Sequence, residues 1–206
     1  MSFFQNTCKP KGIGGKIMVN MMNTGHSSMA EWGLAHIKIQ NDDICLDIGC
    51  GGGANVKKLL KKNSHIKVTG IDYSEISVKK SQKINKAEIA DKRCEILRCD
   101  VMKLPFKNEI FDVITAFETI YFWPNIGEAF EQVYRVLKSG GTFMICNESN
   151  GENLKHEKWT NIIQGMKIYD SKQIEKSLES AGFTDIKTDK NKKGWLCMIC
   201  KKPNSK

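Results

Sequence analysis

A glycine-rich turn between an apolar run and an amphipathic helix constrains the fold of this chain more than any other feature. The turn lies in the segment 46–53, LDIGCGGG, and the residues after it alternate apolar and basic side chains with helical spacing. Glycine adopts backbone angles that other residues avoid, so such a turn can bring its N–H groups close to a ligand at a helix N-terminus. A strand, a glycine turn and a helix in this order are typical of the first unit of a doubly wound sheet.

The rest of the chain continues the alternation of strand-like and helix-like segments. Short strand-like segments predict strands at 44–50, 67–73, 94–100, 110–117 and 141–148, and strands near 184–189 and 195–201 complete the chain. Helical patterns between most of these runs predict a parallel sheet with helices on both faces. A short turn alone joins the last two runs, so the last strand must be antiparallel. The sequence therefore predicts an α/β fold, with a doubly wound, seven-stranded, mostly parallel sheet whose last strand is antiparallel.

Local signals predict where three helices begin or end. Segment 75–90 has the pattern of one polar helix. The apolar stripe of 126–137 predicts a helix that ends at the Ser-Gly-Gly of 139–141, since glycine commonly terminates helices. Ser28 and Glu31 have the spacing of a capping box, which would begin a short helix there.

The first 40 residues differ from the rest because glycines and methionines are interleaved there. This composition predicts a helical N-terminal arm placed before the sheet. The arm could be a helix packed on the core or a lid whose adaptable methionine side chains contact a ligand. We therefore expect an arm at 1–40 and a ligand-binding domain at 41–206.

The charge of the chain is uneven. The formal net charge is +9, and residues 187–206 hold seven lysines and one aspartate, a net of +6. A basic tail raises the question of a nucleic-acid partner. Only three arginines are present, although arginine is the residue that best forms bidentate hydrogen bonds with phosphate and guanine. Nucleic acid is therefore a less favoured partner than a small molecule, and the oligomeric state is open.

The eight cysteines and the absence of long apolar runs indicate the compartment. Several cysteines lie in strand-like apolar runs, where a thiol acts as a small hydrophobe. The lone C-x-x-C of Cys197 and Cys200 lies on a predicted strand, where the two side chains point to opposite faces, so no metal site is expected. No apolar run could span a bilayer and no export signal is visible, so we expect a cytoplasmic protein.

Five ordered motifs carry a resemblance to a family. D-I-G-C-G-G-G, G-I-D-Y-S, C-D-V, F-D-V-I-T-A-F and L-K-S-G-G-T-F resemble class I S-adenosylmethionine-dependent methyltransferases over roughly residues 40–200. The likeness is strongest to the small-molecule branch that includes the ubiquinone and menaquinone methyltransferases. It implies a Rossmann-like methyltransferase fold, S-adenosylmethionine as cofactor with S-adenosylhomocysteine as product, and a small-molecule methyl acceptor.

The resemblance also assigns residues to the cofactor. Asp47 would face the ammonium group through water, Asp72 would bind the ribose hydroxyls, and Tyr73 would lie against the adenine. Asp100 would accept a hydrogen bond from the adenine amino group. The full set of expected cofactor residues is Asp47, Gly49, Cys50, Gly51, Gly53, Asp72, Tyr73, Asp100, Val101, Met102, Ala116, Phe117 and Tyr121.

Two residues are candidates for catalysis. Glu118 follows the fourth strand, close to where the methyl group would be presented, and could be a base, an anchor for a substrate amine or a charge at a helix N-terminus. His26 lies in the arm and could move a proton. Tyr121, Phe122 and Trp123 could form the wall of an acceptor pocket. Two alternatives stay open: an RNA-directed methyltransferase that uses the basic tail, and an NAD(P)- or flavin-binding oxidoreductase that uses the same glycines. Asp47, inside the turn, speaks against the second because it would repel a pyrophosphate.

Overall fold

A seven-stranded sheet forms the centre of the molecule. The structure is a computed structural model, and it describes residues 3–8, 10–152 and 157–205. The strand order is β3-β2-β1-β4-β5-β7-β6. The strands are β1 (Ile44–Ile48), β2 (Lys67–Asp72), β3 (Cys94–Arg98), β4 (Phe111–Phe117), β5 (Leu137–Asn147), β6 (Thr184–Lys190) and β7 (Leu196–Lys201).

The predicted fold class is confirmed. Strands β1 to β5 pair in parallel, and β7 lies antiparallel to both β5 and β6. The order reverses between β1 and β4, and in a doubly wound sheet the crevice at such a reversal is where ligands bind, beyond the carboxyl ends of the strands.

Helices cover both faces of the sheet. One buried cluster joins the sheet to α6 and α8, and the other joins it to α2 and α3. The helices are α1 (Gly12–Gly25), α2 (Ser27–Leu34), α3 (Ala54–Lys62), α4 (Glu75–Ile84), α5 (Lys86–Ala90), α6 (Ile126–Val136), α7 (Glu157–Ile162) and α8 (Ser171–Ser180). In the described part of the chain, no helix has both the length and the apolarity that crossing a bilayer requires.

Three predicted helix boundaries are wrong. The helix expected at 75–90 breaks at Asn85, because the buried side-chain amide of Asn85 donates to the carbonyls of Ser81 and Gly53. Helix α6 ends at Val136, and the glycines expected to stop it lie inside β5. There they pair with the chain after β7, since the Gly140 N–H donates to the Lys202 carbonyl.

The third wrong boundary is that of α2. This helix begins at Ser27 and has no side-chain cap, so Ser28 and Glu31 do not form the expected box. Asp170 and Gln173 form a capping box at the start of α8 instead, since each side chain accepts a hydrogen bond from the backbone N–H of the other residue.

The arm contains two helices with different surroundings. Helix α2 is packed on the sheet, with Met29 and Ala30 fully buried, and Gly33 lies directly against Cys146 of β5. Helix α1 buries only one side, through Gly15, Met18 and Val19.

Candidate active site

A cavity of about 610 Å³ lies beyond the carboxyl ends of β1, β2 and β4. Pockets for small molecules typically enclose about 300–1,000 Å³, so this cavity could hold a cofactor-sized ligand with a small second molecule. The glycine turn and the ends of β2 and β3 border one part of it. The arm, the segment after β4 and residues of 159–168 border another.

The glycine turn is held by backbone hydrogen bonds. The N–H groups of Gly49 and Cys50 both donate to the carbonyl of Ile71, at 2.8 and 2.9 Å. Gly49 has a φ of +70°, and a Cβ atom there would come within 2.1 Å of the Thr119 hydroxyl. A Cβ on Gly51 would meet no atom within 4 Å, although Gly51 lines the cavity with a φ of +51°. The turn therefore needs glycine at 49 for space and at 51 for backbone angle.

Helix α4 supports the turn from its far side. Gly53 has a φ of +83°, and its carbonyl accepts a hydrogen bond from Asn85 at 3.1 Å. A Cβ on Gly53 would come within 2.3 Å of the Ser81 hydroxyl. The break of the helix at Asn85 thus places a buried amide under the glycine turn.

Asp72 ends β2 beside the turn. One carboxylate oxygen accepts from the Gly51 N–H at 3.0 Å and the other from the Ser74 N–H at 2.8 Å. Burial raises the pKa of Asp72, while these two backbone hydrogen bonds oppose the rise. The carboxylate therefore links the glycine turn to the start of α4 and still lines the cavity.

Tyr73 and Asp100 lie farther along the same wall. The Tyr73 ring is 40% exposed, and its hydroxyl contacts the Cys8 sulfur of the arm at 3.9 Å. Asp100 is exposed, and its carboxylate accepts from the Met102 N–H at 3.0 Å. The side chains of Tyr73 and Asp100 line the cavity, with Val101 beside them.

Asp47 lies beneath the cavity and is 1% exposed. One of its carboxylate oxygens accepts from the Thr115 hydroxyl at 2.7 Å, and the other is buried without a hydrogen-bond partner. Burial raises the pKa of Asp47 to about 7. A buried carboxylate oxygen of this kind is costly unless something pairs with it, so this position favours a cationic or hydrogen-bond-donating ligand near the turn.

The structure brings most of the expected residues together. Among the described residues, those that line the cavity include Gly49, Cys50, Gly51, Asp72, Tyr73, Asp100, Val101, Phe117, Tyr121, Glu118 and His26. The other expected residues, which do not line it, are Asp47, Gly53, Met102 and Ala116. Asp47 is buried in β1 and Gly53 precedes α3 at the end of the turn, while Ala116 lies in the core and Met102 packs against it.

Glu118 and His26 meet a third residue, Glu148, which follows β5. The Nδ1 atom of His26 lies 3.1 Å from Glu148 and 4.0 Å from Glu118, as an ion pair rather than an aligned hydrogen bond. The Glu148 N–H donates to the Glu118 carboxylate, and the Tyr121 hydroxyl contacts the same oxygen at 3.3 Å. We call Glu118, His26 and Glu148 the acidic cluster.

The electrostatics of the acidic cluster suit proton transfer. Burial raises the pKa of Glu118 to about 7, although the nearby His26 opposes the rise. Burial would lower the pKa of His26, but its two carboxylate neighbours raise it overall. A ring nitrogen of His26 and one carboxylate oxygen from each of Glu118 and Glu148 lie within 4.8 Å of one another, so the cluster attracts positive charge.

The backbone of Glu118 is also unusual. Its φ is +55°, a left-handed conformation that residues other than glycine seldom adopt. Such strain persists where the surroundings hold it in place, and it concentrates at functional sites. The Glu118 N–H donates to the Cys146 carbonyl at 3.0 Å, which ties this turn to the end of β5.

Sequence reasoning missed Glu148 and the wall formed by Trp159, Ile163, Met166 and Ile168. Glu148 carried a usable signal: it lies at the end of a predicted strand, as Asp72 and Asp100 do, and Glu118 directly follows another. The wall carried none, because its spacing is that of an ordinary helix and loop.

Comparison with known proteins agrees with this architecture. The family model described as "Methyltransferase domain" matches residues 39–195. Cycloartenol-C-24-methyltransferase of Arabidopsis thaliana is 29% identical over 157 residues, which cover 72% of this chain and 46% of the relative. The chain thus spans about half the length of the curated relatives it matches.

Solved structures show the same fold. A chain from the complex of the Haloferax volcanii Trm112 methyltransferase activator with a methyltransferase has a TM-score of 0.83 at 19% identity, covering 90% of this chain and 94% of that one. Haemonchus contortus phosphoethanolamine N-methyltransferase 2, in complex with S-adenosyl-L-methionine, has a TM-score of 0.82 at 16% identity, covering 99% and 60%. Both likenesses support the Rossmann-like methyltransferase architecture.

Proposed function

Since this chain belongs to the methyltransferase domain family, we propose that it transfers a methyl group from S-adenosylmethionine to a small-molecule acceptor by in-line displacement. One observation carries the proposal: the glycine turn, Asp72 and the acidic cluster all border one cavity. One part of that cavity suits a nucleoside with a charged tail. Another suits an acceptor whose proton must be removed.

The residues fit S-adenosylmethionine. Gly51 leaves open space in the cavity at the turn. The buried carboxylate oxygen of Asp47 that has no partner could be linked to the ligand's ammonium group by a bridging water. Asp72 has accepting capacity left for a ribose hydroxyl, because a carboxylate offers about four lone pairs and three are engaged, by the N–H groups of Gly51 and Ser74 and by the Ser77 side chain. Tyr73 and Asp100 lie where the adenine would be held. Cys50, Val101, Phe117 and Tyr121 complete the lining, while Gly53, Met102 and Ala116 support it from behind.

The acidic cluster acts on the acceptor. Bound S-adenosylmethionine supplies a methyl group activated on a sulfonium sulfur. Glu118 accepts a proton at its carboxylate oxygen, and its pKa of about 7 suits a base that works near neutral pH. His26 lies near both Glu118 and Glu148 and balances part of their negative charge. The Tyr121 hydroxyl donates to the Glu118 carboxylate and orients it.

The shape of the cavity also favours a small acceptor. Trp123, Trp159, Ile163 and Met166 give its wall a mainly apolar surface that would exclude water from the reacting atoms. We infer that residues 1–40 form an arm over the domain at 41–206, since residues of the arm border the cavity.

The two alternatives have less support. For RNA, four of the seven tail lysines are engaged within the fold: Lys190 pairs with Glu152, Lys193 lies over the Trp195 ring, and Lys201 and Lys202 donate to backbone carbonyls. For NAD(P) or flavin, the buried Asp47 would repel a pyrophosphate. We expect a cytoplasmic location, because all eight cysteines, each in the described part of the chain, lack a disulfide.

Cofactor binding tests the proposal directly. We expect S-adenosylhomocysteine to bind in isothermal titration calorimetry, and Asp72→Ala to weaken it about 10- to 100-fold, since a hydrogen bond to a charged group contributes about 1.5–3 kcal/mol. Asp91→Ala, at an exposed acid after α5, is the matched control and should leave affinity unchanged. Tight NAD binding without S-adenosylhomocysteine binding would overturn the proposed function.

A further inference from the structure

Exposed apolar side chains concentrate around the arm. Six large hydrophobic residues are exposed in the described part of the chain: Phe4, Ile13, Ile17, Met21, Tyr73 and Ile162. Four of them belong to the arm. The Tyr73 hydroxyl contacts Cys8 of the arm, and Ile162 lies on α7, where Trp159 packs edge-on against Phe4 at 5.3 Å.

Helix α1 carries a stripe of these residues. Ile13, Ile17 and Met21 recur every four positions and are 79%, 48% and 58% exposed. The opposite side of the helix packs inward through Met18 and Val19, so the stripe faces away from the core. Single exposed hydrophobes are common on protein surfaces, but an aligned set beside a cavity marks an interaction surface. We call these three residues the α1 stripe.

The charge of the segment that carries the α1 stripe indicates which kind of surface would bind it. Residues 1–30 contain Lys9, Lys11 and Lys16 and no aspartate or glutamate; the first acidic residue is Glu31. A second copy of the chain would place this positive segment against itself. A surface that is both apolar and negative is the better complement, and anionic lipid provides both properties.

We propose that α1 and the 3₁₀ turn Phe3–Thr7 dock on the surface of an anionic lipid bilayer. The α1 stripe enters the boundary between headgroups and acyl chains, while Lys11 and Lys16 contact lipid phosphates. With 14 residues, α1 lies on the bilayer rather than crossing it. Docking places the cavity beside the lipid, because Phe4, Met22 and other arm residues form part of its wall.

Vesicle flotation with the full chain and no cofactor tests this proposal, so its outcome is independent of the methyl-transfer proposal. We expect binding to phosphatidylcholine vesicles that contain roughly one third phosphatidylglycerol, little binding to phosphatidylcholine alone, and release by salt. The triple change Ile13→Gln, Ile17→Gln, Met21→Gln should lower partitioning at least about tenfold. Glutamine is a good helix former, so α1 should persist.

The matched control changes polar positions on the same exposed side, Asn20→Gln with Thr24→Gln, and should bind as the wild type does. The double variant Lys11→Gln, Lys16→Gln tests the charge without changing the α1 stripe, and it should lose most of the preference for anionic vesicles. It keeps the test valid if the triple variant does not fold. Equal binding by either variant and the wild type would overturn the proposal. A concentration-dependent dimer in light scattering, abolished in the triple variant, would overturn it too, by assigning the stripe to a second copy.

Discussion

Replacing Glu118 by glutamine should change how stability depends on pH. Glutamine has nearly the same shape and keeps an oxygen for the Glu148 N–H, but it cannot ionise. The carboxylate side chain is 20% exposed in the structure, so its charge is poorly solvated. Glu118→Gln therefore removes one titrating group while leaving the packing close to the wild type.

The size of the effect follows from the pKa. Burial raises the pKa of Glu118 from 4.5 to about 7 in the folded chain, so the folded state holds a proton that the unfolded state has released. Its contribution to stability is fully present below pH 4.5 and is lost as the pH rises through about 7. Each pKa unit corresponds to about 1.4 kcal/mol, so the free energy of unfolding should lose about 3 kcal/mol over this window.

Urea unfolding from about pH 5 to about pH 8 measures this difference. The stability of the wild type minus that of the variant should fall by about 3 kcal/mol across the range, since Asp47 titrates in both proteins and cancels. His26 does not cancel, because Glu118 helps to raise its pKa, but its change acts in the same direction. Enzymatic rates give a second readout. The wild-type rate should rise with pH through about 7 as Glu118 loses its proton, and the variant rate should be low and flat. A stability difference that is constant with pH would refute the reasoning.

Two further substitutions test how the site is supported. Gly33→Ala should lower the free energy of unfolding, measured with urea, by about 1–3 kcal/mol, because the new Cβ would lie 2.6 Å from the buried Cys146 sulfur. Gly25→Ala is the control: it has open space around it and should change the free energy of unfolding by less than about 1 kcal/mol. Equal effects of the two changes would contradict the packing assigned to α2. Asn85→Ala should cost about 1–3 kcal/mol and weaken S-adenosylhomocysteine binding, because the Gly53 carbonyl keeps only the Lys57 N–H as donor and loses its link to α4. Unchanged values of both would show that the glycine turn does not depend on this amide.

The positions of the strands along the chain and the first part of the site were predictable because their signals are local. Every strand except β6 carries its own apolar run, the glycine turn directly follows β1, and Asp72 is the last residue of β2. The break at Asn85 was not predictable, since it depends on a carbonyl 32 positions away. Two members of the acidic cluster, Glu118 and His26, were predicted as candidates. The geometry of the cluster was not predictable, because it depends on the neighbouring ends of β4 and β5 and on His26 of the arm, which no local pattern connects to them.

The junction between α1 and α2 links access to the cavity with the charge inside it. His26 is the single residue between the two helices, and α2 is fixed on the sheet through Gly33. Any swing of α1 that widened the mouth would pivot at His26 and draw its imidazole away from Glu118 and Glu148. Two carboxylates would then face each other without their cation, so an open arm would carry an electrostatic penalty and a closed arm would be self-reinforcing. The charge of His26 thus couples the position of α1 to the electrostatics of the cavity.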